Sequence, residues 1–218
     1  MATILCLETA TTNCSVALSV NGSVIALLED QSPGYSHAEK LHDFIGRTLS
    51  DSGLGVGDLD AVAVSKGPGS YTGLRIGVSA AKGLCYSQDI PLVSVPTLTA
   101  LAWQVETTGL IVPLLDARRM EVYSAVFDKD KQQLRETRAE IITQDSFSEY
   151  LKQDKVTFIG SGVDKLLGVI THPNAVYIEH KLPSAREMAP LAISKYKKSD
   201  IEDVAYFEPY YLKDFVGG

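Results

Sequence analysis

Two acidic side chains and one glycine-rich segment are the residues best placed to do chemistry. Glu8 ends the apolar run Ile4 to Leu7, and Asp116 ends Leu110 to Leu115. Behind each comes a polar turn and then a run that returns, Cys14 to Val20 in one case and Met120 to Phe127 in the other. Carboxylates so placed in two equivalent units would face each other across a cleft, an arrangement suited to acid catalysis or to holding a metal–nucleotide. The turn after Glu8, Thr9-Ala10-Thr11-Thr12-Asn13, contains no glycine, and a backbone that approaches phosphate usually needs one. Together with Thr11, and with Gly160 and Gly162 of Gly160-Ser161-Gly162, the two carboxylates outline a vestigial nucleotide cleft rather than a working one.

The stretch Lys66-Gly67-Pro68-Gly69-Ser70-Tyr71-Thr72-Gly73-Leu74-Arg75-Ile76-Gly77 is the most distinctive in the chain. It reads as a strand end, a turn and a helix start, where free backbone N–H groups can hold an anion. Leu74-Arg75 after Gly73 excludes a Walker A loop, and Thr72 stands where G-x-G-x-x-G needs its third glycine. The plainer reading is a tight turn with close packing. Beyond it Gly73, Gly77, Ala80 and Ala81 form a stripe of small residues. Glycine inside a helix costs about 1 kcal/mol against alanine, so the stripe predicts that another backbone comes close. Either the helix Ser36 to Leu49 of this chain or a helix of a second protein could supply it. With a second protein, Leu41, Phe44, Ile45 and Leu49 would join Gly73, Gly77, Ala80 and Ala81 as half of a four-helix contact.

Other chemistries find little support. His37 and His42 are five apart, roughly 140° around a helix, whereas a ligand pair wants four. All four histidines read as surface residues. Ser161 lies outside any G-x-S-x-G elbow. Cys6, Cys14 and Cys85 form no C-x-x-C and read as reduced thiols. The 218 residues carry a net charge of −7, which disfavours holding nucleic acid unaided, since phosphate contacts need clustered Lys and Arg. No targeting signal or long apolar run is apparent, so a cytoplasmic location is expected.

The elements that would position these residues repeat. Three strands joined by tight turns open the chain, with Asn21-Gly22 as a hairpin signal. Helical spacing follows over Ser36 to Leu49, with Ser36 as N-cap and Glu39 three residues on. A strand over Asp60 to Ser65, a helix over Thr72 to Ser87, a strand over Leu92 to Val95 and a helix over Thr97 to Val105 come next. From Leu110 the pattern restarts: a hairpin, a strand near Thr137 to Ile142, a helix near Asp145 to Leu151, a strand over Val156 to Ile159, and a last helix over Ala185 to Lys197. The break near Glu106 to Gly109 divides the chain into 1–106 and 107–218, with the last helix and aromatic tail free to pack back on the first half. The expectation is a duplicated α/β fold, two subdomains each with a mixed sheet and flanking helices.

The order of several segments resembles the TsaB (YeaZ) family of bacterial tRNA threonylcarbamoyladenosine biosynthesis. These are Glu8-Thr9-Ala10-Thr11, the Gly67 to Gly77 motif, Lys82-Gly83-Leu84, Val95-Pro96-Thr97-Leu98, Asp116-Ala117-Arg118 with Glu121-Val122-Tyr123, and Pro209-Tyr210-Tyr211-Leu212. The resemblance implies an actin-like ATPase (ASKHA, RNase H-like) fold and a scaffold role. The scaffold would dimerise with the catalytic TsaD subunit, which modifies adenosine 37 of tRNAs reading ANN codons, and recruit the TsaE ATPase. It implies tRNA contact only through the complex, a homodimer as an alternative pairing, no membrane and no cofactor of its own, with room for a nucleotide at the partner interface. TsaD-type proteins carry an H-x-x-x-H metal pair where this chain has Thr97 and Leu101, which cannot replace two imidazoles. No catalytic or metal residue is therefore expected, and a metalloprotease reading falls with the missing pair. An independent actin-like small-molecule kinase or ATPase is the alternative.

Overall fold

The computed structural model describes residues 1–32 and 36–213. They form two units: one holds Met1–Ala100 and Pro183–Tyr211, the other Leu101–Leu182 and the described residues after Tyr211.

In the first unit β1 (Thr3–Glu8), β2 (Cys14–Val20) and β3 (Ser23–Asp30) are antiparallel neighbours. Asn21 and Gly22 both take positive φ and close the β2–β3 hairpin, the primed turn that suits the strand twist. On the other side of β1 run two parallel strands, β4 (Ala61–Gly67) and β5 (Leu92–Pro96), so the sheet order is β3-β2-β1-β4-β5. Alternate residues of β1 serve two cores. Leu5 and Leu7 face α1 (His37–Asp51) and α2 (Tyr71–Gln88), while Ile4 and Cys6 pack with Met188, Ala189 and Ala192 of α5 (Ala185–Lys197). Covering both faces is what parallel strands with continuous apolar runs require.

The second unit repeats the sheet. β6 (Leu110–Asp116), β7 (Glu121–Phe127) and β8 (Gln133–Ile141) are antiparallel; β9 (Val156–Ile159) and β10 (Ala175–Ile178) are parallel to β6, in the order β10-β9-β6-β7-β8. Its helices are reduced: α4 is only Ser148–Leu151, and one 3-10 turn, Val163–Lys165, follows β9 where α2 follows β4. The strand orders match position for position, which is the duplicated α/β arrangement expected from the sequence.

α5 groups with the first unit, a packing that the sequence left open for the last helix. Other local expectations change. The helix after β5, α3 (Thr97–Ala102), stops short of Val105, and β8 starts at Gln133. β10 is only four residues long behind Pro173-Asn174, too short for its pattern to show in the sequence. Ser36 precedes α1 without capping it; its hydroxyl donates to Asp30 Oδ2 at 2.9 Å. Ser70 does cap α2, accepting from the Gly73 N–H at 3.2 Å. Among the described residues no helix is long and apolar enough to cross a membrane.

Candidate functional site

The turn after β1 and the glycine-rich loop before α2 interlock. The Ala10 carbonyl accepts from the Ser70 N–H at 2.7 Å, and Thr9 Oγ1 donates to the Gly73 carbonyl at 2.8 Å. A Cβ on Gly69 would stand 2.4 Å from the Ala10 oxygen, one on Gly73 2.2 Å from the Thr9 oxygen, and one on Gly77 2.3 Å from Thr9 Oγ1. The glycines make room for this turn: at Gly73 and Gly77 the group that comes close is Thr9 of the same chain. The aromatic tail seats on the same loop: the Tyr210 N–H donates to the Lys66 carbonyl at 2.7 Å, and the Tyr211 and Tyr71 rings lie 4.9 Å apart.

Of the eight residues assigned to a partner surface, Leu41, Phe44, Leu49, Gly73, Gly77 and Ala81 point into the unit, because the apolar stripe of each helix faces its own sheet. Ile45 and Ala80, though largely buried, also border an outward groove between α1 and α2. That groove encloses about 720 Å³, with Ile76 and Leu84 in its wall and His42 and Arg75 beside them.

Glu8 is fully buried at the end of β1. Its Oε1 accepts from the Ala10 N–H at 2.7 Å and the Ser65 hydroxyl at 2.9 Å, and among the described residues Oε2 has no hydrogen-bond partner. Burial pushes its carboxyl up from 4.5 to about 7, against the pull of those hydrogen bonds. Thr11 holds the turn through its carbonyl, which accepts from His37 Nε2–H at 2.7 Å. His37 is thus buried, not a surface residue, and burial lowers its pKa. Nothing in its spacing signalled this; it opens α1 directly under the turn.

In the second unit Asp116 is half-exposed and differently employed. Its Oδ1 accepts from the Arg118 N–H at 2.6 Å and pairs with Lys165 Nζ at 2.7 Å. Its own N–H donates to Ser161 Oγ at 3.1 Å. A Cβ on Gly160 would fall 2.1 Å from the Leu114 oxygen, and one on Gly162 3.0 Å from Leu114 and Val122 side-chain carbons. Both glycines serve packing on β6. Each member of the outlined cleft (Glu8, Thr11, Asp116, Gly160 and Gly162) is therefore engaged within its own unit.

Thr97 and Leu101 begin and nearly end α3, both with no exposed surface. Leu101 Cδ2 lies against Gly160. Among the described residues no three His, Cys, Asp or Glu side chains gather in a way that could hold a metal.

A family model described as "TsaD: tRNA N6-adenosine threonylcarbamoyltransferase" matches residues 34–215. A protein of Escherichia coli K12 named tRNA threonylcarbamoyladenosine biosynthesis protein TsaB is 32% identical over 98% of this chain and 95% of its own length. The chain belongs to the TsaB family. The TsaB protein of Haemophilus influenzae is 30% identical over 98% of this chain and 94% of its own. Two solved Pseudomonas aeruginosa structures share the fold. One, an uncharacterized protein described as similar to peptidase YeaZ, has a TM-score of 0.86 at 23% identity and covers 98% of this chain and 100% of its own. The other, YeaZ, has a TM-score of 0.82 at 24% identity and covers 97% and 100%. In this TsaB-family chain, the two segments that most carry the resemblance, Glu8 to Thr11 and Gly67 to Gly77, are the two that interlock.

Proposed function

We propose that this chain acts in tRNA threonylcarbamoyladenosine biosynthesis as a non-catalytic scaffold, pairing with a TsaD-type catalytic subunit and recruiting a TsaE-type P-loop ATPase. The names of the E. coli and H. influenzae relatives support the pathway. One observation carries the scaffold role. Thr97 and Leu101 occupy the positions where the family resemblance expects two metal-binding histidines in a catalytic subunit, and both are packed in the interior. Neither can ligate a metal as imidazole does.

The groove between α1 and α2 is the surface we assign to the catalytic subunit. Its lining from Ile45, Ile76 and Leu84 offers apolar area, and Arg75 and His42 bring polarity to it. A partner of the same fold would lay its own helix pair there. A second copy of this chain could do the same and would compete with the catalytic subunit. The test is co-purification with the cognate TsaD-type protein, followed by reconstitution on a transcript of an ANN-decoding tRNA. Modification should require both subunits and the ATPase. Robust threonylcarbamoyl transfer by this chain alone would overturn the reading.

A further inference from the structure

The β6–β7 turn holds a feature that the scaffold role does not use. Arg118 and Arg119 both take positive φ, 67° and 49°. Two successive left-handed residues form a tight turn for which Asn-Gly is the favoured pair, and a backbone that arginine rarely adopts. The turn is nevertheless firmly built. The Ala117 N–H donates to the Glu121 carbonyl and the Glu121 N–H to the Arg118 carbonyl, each at 3.1 Å. Asp116 clasps the Arg118 N–H at 2.6 Å.

The charges around it are unequal. Asp116 is paired with Lys165, which also donates to the Glu121 carbonyl at 2.7 Å, and the Glu121 carboxylate is paired with Lys213. Both nearby carboxylates are neutralised by lysines. The two arginines are exposed, and among the described residues their guanidinium groups have no hydrogen-bond or ion-pair partner. A chain of net charge −7 thus displays two adjacent uncompensated guanidiniums on a braced hairpin tip. Guanidinium is the side chain whose fork fits phosphate oxygens in pairs.

We propose that the Arg118–Arg119 tip is a contact for the phosphodiester backbone of RNA, which in a scaffold of the modification complex is the tRNA being modified. The inference rests on the function proposed above. The contact fixes position rather than sequence, since phosphate contacts carry no base information. The net charge of −7 works against RNA binding. The tip therefore gives weak binding to the isolated chain and its full effect when a partner adds its own contacts.

The test uses the full chain, alone and with its TsaD-type partner, and fluorescein-labelled tRNA transcript read by anisotropy from about 50 to about 200 mM salt. Arg118→Glu with Arg119→Glu should weaken binding at least tenfold and flatten the dependence of log affinity on log salt by about 1–2. Lys152→Glu with Lys155→Glu makes the same change in net charge at exposed sites and should leave most of the affinity in place. Arg118→Asn with Arg119→Gly installs the residues this backbone favours. It should bind tRNA more weakly while melting no lower than the parent, a split that damage to the fold would not produce. Equal tRNA binding by the parent and the Glu pair, or none by the parent in either form, would overturn the proposal. Displacement of tRNA from the tip by ATP would assign the site to a nucleotide, and equal competition by polyglutamate to an acidic protein; either would overturn it as well. Complementation of a strain lacking its own TsaB-type protein reads the scaffold role separately. Complementation by the parent alongside tRNA binding indifferent to the tip would fail this inference alone.

Discussion

Glu8→Gln should remove a pH-dependent cost that the native fold carries. The substitution keeps the side-chain shape and the oxygen that accepts from Ala10 and Ser65. Burial raises the carboxyl from 4.5 to about 7, so the folded protein retains a proton that the unfolded chain releases across that interval. The stabilising contribution of that proton is complete below pH 4.5 and is lost as the pH rises through about 7. The difference between the two pKa values corresponds to about 3 kcal/mol at 1.36 kcal/mol per pH unit. Urea and thermal unfolding of both proteins should be measured from about pH 5 to about pH 8.5. Near pH 5 the two should be of similar stability. Near pH 8 the glutamine variant should be more stable by about 2–3 kcal/mol, or roughly 4–12 °C in melting temperature for a chain of this size. An offset that is the same at both ends of the range would refute the reasoning. It would mean that Glu8 ionises as readily in the fold as in the unfolded chain.

Gly77→Leu should lower the melting temperature, by about 1–3 kcal/mol of overpacking or more, because its Cβ would strike Thr9 Oγ1 at 2.3 Å. A fully stable Gly77→Leu protein would show that the β1–β2 turn can yield. Ile76→Glu lies in the wall of the α1–α2 groove and is half-buried. It should leave the chain folded by circular dichroism and weaken capture of the TsaD-type subunit at least tenfold, about 1.4 kcal/mol; undiminished capture would move the partner surface elsewhere.

The sequence by itself determined the repeat. Apolar runs of strand length, Asn21-Gly22, and helical spacing from Leu41 to Leu49 are local signals, and periods of two and of 3.6 residues survive without knowledge of neighbours. It also determined that Thr97 and Leu101 cannot serve as a pair of imidazole ligands, since neither is a histidine in any fold. Short pieces escaped. The four residues of β10 are too few for a period to register, and α4 shrank to a single turn because Phe147 takes a left-handed backbone before it.

Only the tertiary structure decided which way the helices face and what the glycines are for. A stripe such as Gly73, Gly77, Ala80 and Ala81 announces that something approaches closely, yet spacing along one helix cannot say what. The answer was Thr9, sixty-four residues from Gly73 along the chain and 2.8 Å from it across a hydrogen bond. The same holds for the acids. Glu8 and Asp116 occupy equivalent strand ends, but one is sealed in the interior and the other meets Lys165 at the surface. Ionisation depends on solvent and neighbours in three dimensions, and neither is written in the local pattern.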